Sequence, residues 1–400
     1  QQIETAYREK TADEGPAREK AEQFLSQSLD RSAGVEPCPE WEHVRNLGEA
    51  ALAAGSRDPV TRMVLAEMWQ WLPEKQRDAL ELLDQIAEEL DAQEYPPLLV
   101  MLARHYALQN SKRLKEPPHQ TTAREYLLCN AAIEFLAEDA DDTQGWLMWS
   151  TINAPFTELG STGQQALCLG ALERGVFDTF AMRMAVAYTY QSIAWEARGT
   201  GFARDVTEEG GKAFARLLPI AGRHFMRAWM LDPRSPEPPT AMIGISMAGG
   251  DDRWSARDWF NIAVRIRLDY DPAYTALRYA LTPRWGGSHR QQTSFAQACV
   301  DTRRWDTMVP WYAMRVVYEI QKELGIENPV GDVPGVVDII DQFVSGYHQA
   351  RATGTAPESG PSTSWNWAYA AAIYAQQGRY EEAHGLFESY GAAMTQDDCD

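Results

Sequence analysis

Gly244-Ile245-Ser246-Met247-Ala248 comes nearest to a catalytic motif in this chain: a serine between small residues, as where a nucleophile is exposed on a sharp turn. Such an elbow needs a strand before the serine and a glycine two residues after it. Here the flanks are helical in pattern and Ala248 stands in the glycine's place, so the match is a coincidence. The histidines (His43, His105, His119, His224, His289, His348, His384) lie apart, and none has a His or Cys three or four positions on. Two ligands on one helix face would need that spacing. The five cysteines include no Cys-x2-Cys pair, and Cys129, Cys168 and Cys299 sit among Leu and Ala, which reads as free buried thiols. Asp139, Asp141 and Asp142 lack the glycine and distal glutamate of a calcium loop. No phosphate-cradling glycine loop occurs. The sequence therefore predicts no catalytic residue, no metal and no cofactor.

Residue types that bind are better represented. Residues 1–150 carry 15 basic and 28 acidic groups, net −13; residues 195–315 carry 17 and 13, net +4; residues 316–400 carry 3 and 13, net −10. An arginine-rich centre between acidic ends suits capture of an acidic peptide, since guanidinium takes carboxylate in bidentate fashion. Within it Trp254, Arg257, Trp259, Arg265 and Arg267 fall close together, and Arg284-Trp285 follows. Arg and Trp are the types that dominate interface hot spots, so these seven are the candidate partner-binding residues. Pro283 ends a helix, Gly286-Gly287 allows a reversal, and Ser288 with Gln291 forms a capping box; in that setting Trp285 reads first as a plug in the core and second as a contact point. At a net charge of −20 the chain would be repelled by phosphates, so nucleic acid is not an expected partner.

The elements that must position these residues are helices. A period near 3.6 runs almost end to end, broken at Asp58-Pro59, Leu72-Pro73, Pro117-Pro118, Gly249-Gly250 and Gly331-Asp332. No alternating strand of five or more residues appears, and no run of eighteen apolar residues that could span a membrane. Trp367, Ala371, Tyr374, Gly378, Tyr380, Ala383 and Phe387 have the spacing of a tetratricopeptide repeat. The small residues let two helices approach, the glycine turns between them, and the aromatics fill the seams. Phe225-x2-Ala228-x4-Pro233 echoes the second half of such a repeat. A hairpin of this kind needs a neighbour to cover its apolar face. The expectation is an all-α, right-handed α-α superhelix of degenerate tetratricopeptide-like hairpins. It divides into a charged, loosely attached N-terminal extension (1–37), a solenoid (38–350), a linker (351–363), and a C-terminal hairpin with an acidic tail (364–400).

Pro283-Arg284-Trp285-Gly286-Gly287-Ser288 after a hairpin, with Phe295 in the next helix, resembles a family of uncharacterised bacterial tetratricopeptide-like proteins. Ala228-Trp229-Met230-Leu231-Asp232-Pro233 and Asp271-Pro272-Ala273-Tyr274 fit the same pattern, over roughly residues 180–320. The resemblance implies the fold and a bacterial source, and it brings no catalytic residue.

The function expected is therefore a non-enzymatic scaffold that binds a protein or peptide on the surface of residues 195–315. One rival is an acidic immunity-type inhibitor that draws a basic toxin onto the N-terminal half. Another is a glycan-active enzyme on an α-α toroid. Free cysteines favour the bacterial cytoplasm; a chain opening Gln1-Gln2 leaves the periplasm open through a removed signal.

Overall fold

A computed structural model describes residues 2–33, 38–138, 145–176, 178–251, 253–325, 327–356 and 363–390. Nineteen α-helices and no strand occur among the described residues, so the all-α expectation holds. No helix there is long and apolar enough to cross a membrane. The chain divides into two compact units, Gln1–Gly210 and Gly211–Asp400.

The first unit holds α1 (Gln2–Lys10), α2 (Gly15–Ala33), α3 (Trp41–Ala53), α4 (Pro59–Trp69), α5 (Gln76–Ala92), α6 (Pro97–Arg113), α7 (Pro118–Ala137), α8 (Gly145–Glu158), α9 (Ser161–Glu173) and α10 (Phe180–Arg198). Successive helices pack together from α1 to α8, as does α9 with α10, and so do α2 with α4, α4 with α6, α6 with α8, α7 with α9 and α8 with α10. Packing on the next helix but one is how hairpins stack into a repeat array. Local chemistry sets the ends: Asp58 caps α4 by accepting from the backbone N–H groups of Val60 and Thr61, and prolines open α4, α6 and α7. The break at Pro117-Pro118 is where α7 opens, because proline at the first helical position has no orphan N–H to satisfy.

The N-terminal segment is not loosely attached. Tyr7, Ala21, Phe24 and Leu25 are buried in a core shared with Val44, Val60 and Leu65. Polar staples hold it as well: Asp13 accepts from Tyr7, Ser56 and the Arg57 backbone, and Lys10 donates to the carbonyls that end α5, at Gln93 and Glu94. Three alanines, Ala6, Ala17 and Ala21, are buried on the same segment and extend that apolar contact. A second network ties α5, the α6–α7 turn and α7: Arg124 bridges Asp84 (2.7 Å) and Glu116 (2.7 Å), and Arg77 joins Glu116. Burial works against the Glu116 carboxylate, yet the hydrogen bond from Arg77 and the charge of Arg124 hold it below the usual range.

The second unit begins within the first turn of α11 (Glu208–Leu231). It continues through α12 (Glu237–Met247), α13 (Ala256–Ile266), α14 (Asp271–Ala280), α15 (His289–Asp301), α16 (Tyr312–Leu324), α17 (Val336–Ala352), α18 (Thr363–Gln376) and α19 (Tyr380–Tyr390). Here too α12 packs on α14 and α15 on α17. The repeat spacing is realised in α18–α19: Trp367, Ala371, Tyr374 and Ala383 are buried, and Gly378 takes φ +74° between the helices. The hairpin docks onto its unit through Trp367 against Trp311 and Phe343, while Asp341 of α17 accepts from Tyr374 (2.7 Å) and Arg379 (2.9 Å). Phe387, expected to fill a seam, is half exposed, since α19 is the last described helix and no further hairpin covers that face among the described residues. The earlier echo is sound: Phe225 and Ala228 are buried, and α11 stops at Leu231 ahead of Pro233.

Candidate functional site

Gly249, at φ +78°, ends α12, and Gly250 lets the chain turn tightly beneath Leu218 and Ile245. Ser255 then opens α13 with a capping box: it accepts from the Asp258 N–H (3.3 Å), and Asp258 accepts from the Ser255 N–H (2.9 Å). That register turns Trp259, Phe260 and Ala263 inward and leaves Trp254 outside the cap. Trp259 is buried, and its indole N–H donates to Asp251 at 3.0 Å. Trp254, 42% exposed, lies 4.6 Å from Trp259, and Trp229 of α11 stands edge-on to both at 6.5 and 5.9 Å. Three indoles thus form one cluster with a single solvent-facing member. Met230, beside Trp229 in α11, is also exposed.

The arginines expected to join them behave differently from one another. Arg257 is half-buried, with its guanidinium over Phe295 of α15 at 5.0 Å, and burial lowers its pKa. It is mostly a packing residue. Arg267 is exposed but pairs with Asp269 at 3.1 Å. Arg265 is exposed on α13 and forms no ion pair among the described residues. The same local neutralisation recurs in the loops, at Asp232–Arg234 (3.0 Å), Asp251–Arg253 (3.3 Å) and Arg304–Asp306 (2.8 Å). The net positive charge of the centre therefore overstates how many guanidinium groups are free. Carboxylates two positions away were the signal for this, visible in the sequence.

Arg284 and Trp285 form a separate group. They occupy a 3-10 turn, Pro283–Trp285, with Arg284 exposed and lying 5.9 Å over the Tyr279 ring. Trp285 is half-buried against Tyr279 at 5.9 Å, so it does not plug the core as its setting suggested. The reversal works as read: Gly286 has φ +83°, and a Cβ on Gly287 would lie 2.0 Å from the Leu281 carbonyl oxygen. Ser288 caps α15 by accepting from the Gln291 N–H (3.3 Å), although the return bond runs from its hydroxyl to the Gln291 side chain (3.2 Å) rather than from its backbone. Sequence reasoning missed Trp229, Met230 and Tyr279. The first two lay inside the repeat echo, where an aromatic reads as core.

Residues weighed for chemistry stay apart. Ser246 lies within α12 and donates to the Trp254 carbonyl. No group of three His, Cys, Asp or Glu positioned to hold a metal occurs among the described residues. Cys129, Cys168 and Cys299 are buried free thiols with raised pKa values, through desolvation above all. Cys38 is exposed. Cys399 and the aspartates at 139, 141 and 142 lie outside the described residues.

No protein-family model matches the chain. No curated protein matches it. Among solved structures, a human IFIT1 dimer with m7Gppp-AAAA is similar at 11% identity, over 94% of this chain and 71% of that one, with a TM-score of 0.33. A superposition that loose assigns neither a function nor a partner.

Proposed function

We propose that this chain is a non-enzymatic, bacterial tetratricopeptide-like binding protein that captures an acidic protein segment on the indole–arginine surface of its second unit. The observation supporting this reading is Trp254, an indole 42% exposed yet already ordered against Trp259 and Trp229. An aromatic held in place before binding gives large contact area at low entropic cost. Arg265 supplies an uncommitted guanidinium from the helix that follows; a partner carboxylate at Arg267 must displace Asp269. Arg257 is too engaged with Phe295 to serve as a recognition fork.

The test is affinity capture from a bacterial lysate, with the wild type, Trp254→Ala and Arg265→Glu as baits. Each variant is expected to lose at least tenfold in apparent affinity, about 1.4 kcal/mol. Retention of the same proteins by both variants would sink the reading. The immunity-type rival has its own support in the first unit, which carries 19 basic and 35 acidic residues, net −16, against 18 and 22, net −4, in the second. Under that rival, neutralising the exposed Glu81 and Glu88 of α5 abolishes capture while Trp254→Ala does not.

A further inference from the structure

The first unit carries an apolar furrow of its own, where α7 and α9 meet. Cys129 lies against the Gly163 carbonyl (Sγ to O 3.9 Å), Ile133 against Gly170, and Glu134 pairs with Arg174. These contacts advance in the same direction along both helices, so α7 and α9 run parallel. Gly170 permits their approach, because a Cβ there would lie 2.3 Å from the Ile133 Cδ1. The furrow between them holds about 700 Å³ and extends from Thr122 to Glu134 on one side and from Thr162 to Arg174 on the other. At 1.5 Å per residue that is about 18 Å, the length of a three-turn helix.

Tyr126 and Leu169, 67% and 62% exposed, line this furrow from opposite helices, with the exposed Ala166 beside them. Leu127 and Leu172 are exposed on the same two helices. Single exposed apolar residues are ordinary, but a cluster along a groove marks a binding surface. The rim is acidic. Glu125, Glu134 and Glu173 border the furrow against Arg174 alone, which is committed to Glu134. Glu173 forms no ion pair among the described residues, and Glu125 has only Lys112 at 3.7 Å. The surrounding unit is at net −16.

We infer that the α7–α9 furrow docks a basic amphipathic helix of a partner protein. Its apolar face lies on Tyr126, Ala166 and Leu169, and its Lys or Arg residues reach Glu125 and Glu173. Helix-in-groove recognition uses anchors at i, i+3, i+4 and i+7, which a three-turn furrow accommodates. The field of the unit steers such a partner inward and repels an acidic one. This surface is independent of the indole–arginine surface of the second unit.

The probe is a fluorescein-labelled peptide with Leu at those anchor positions and Lys elsewhere, together with a counterpart carrying Glu in place of Lys. Fluorescence anisotropy on the whole chain is expected to show saturable binding of the Lys peptide and none of the Glu peptide. Tyr126→Ser and Leu169→Ser, both exposed positions where folding is preserved, should each weaken binding tenfold or more. Glu173→Lys should weaken it severalfold, and Trp254→Ala should leave it unchanged. The inference is overturned if the Lys peptide does not bind, or if it binds the Tyr126→Ser and Leu169→Ser variants as tightly as the wild type, because acidity alone would then account for the attraction.

Discussion

In the first unit, charge and hydrogen bonds stitch helices that meet through Ala, Leu and Ile. Arg124 holds α7 to α5 through Asp84, and Asp13 and Asp58 hold the N-terminal helices through Tyr7, Ser56 and Tyr95. The second unit is joined by rings. Phe260, Tyr274, Phe295 and Tyr312 form one ladder, with Tyr274 and Tyr312 stacked at 4.4 Å. Trp311, Phe343, Tyr347, Trp367 and Tyr390 form another, with Trp367 and Tyr390 stacked at 4.1 Å. Ion-pair networks depend on ionisation and geometry, whereas ring ladders depend on area. The contrast carries over to binding: the acidic unit leaves an apolar furrow with a carboxylate rim, and the aromatic unit brings an indole and an arginine to its surface.

The sharpest test of the ring ladders is Trp311→Ala. Trp311 is buried against Phe343, Tyr347 and Trp367, so the change should destabilise the protein by about 3–5 kcal/mol. Denaturant unfolding followed by near-ultraviolet circular dichroism measures this. A loss under about 1 kcal/mol would mean that the ladder is not what holds the second unit.

The largest acid sensitivity should belong to the first unit, although burial also lowers the pKa of His348 in the second. Burial pushes His105 of α6 down to about 4 from 6.5, the Glu158 charge only partly opposing it. Its neutral form is the stable one in the fold, so the associated stability is intact above pH 6.5 and is lost as pH falls toward 4. A displacement from 6.5 to about 4 corresponds to about 3 kcal/mol. Comparing wild type with His105→Gln by denaturant unfolding at pH 7 and pH 4 should show the variant gaining on the wild type by up to that amount at the lower pH. Parallel losses would place the acid sensitivity elsewhere.

A smaller effect probes how the indole cluster is supported. Asp251 accepts the Trp259 indole N–H and the Arg253 backbone N–H (3.1 Å), so Asp251→Ala leaves a buried donor without its partner. The expected loss is about 1–3 kcal/mol in unfolding free energy, with a red shift in tryptophan emission as the cluster loosens. An unchanged spectrum would show that stacking alone orders Trp254.

Smallest of all are the changes in the Pro-Arg-Trp-Gly-Gly-Ser turn. Trp285 is half-buried, so Trp285→Ala should cost about 1 kcal/mol rather than the several expected of a core indole. Arg284→Ala should stay within about 0.5 kcal/mol. Equal melting temperatures for the two variants would mean that Trp285 packs no more productively than Arg284, since both lie against Tyr279.

Much of the fold could be read without coordinates. The Gly286-Gly287 reversal, the Ser288 cap and the Trp367–Ala383 spacing all appear where the residues indicated. The candidate site was legible in part. Trp254 and Trp259 do meet, but Arg257 turned to Phe295 and Trp285 is only partly buried. Sequence proximity on α13 says which residues share a helix, and it does not say which face the neighbouring helix covers.

By itself, the sequence determined where the helices begin and end, that no strand competes, and where charge of each sign accumulates. Those properties follow from signals a few residues long: a 3.6-residue period, proline and glycine at breaks, serine at caps. It even held the Asp-x-Arg and Arg-x-Asp pairs that neutralise the loops. Only the tertiary structure decided that Arg124 would find Asp84 across 40 positions, that Trp229 would join Trp254, and that α7 and α9 would run side by side as a furrow. Each of these depends on how one helix is rotated and shifted against another. That rotation is set by the fit of many side chains at once, such as Gly170 against Ile133, and no single local signal encodes it.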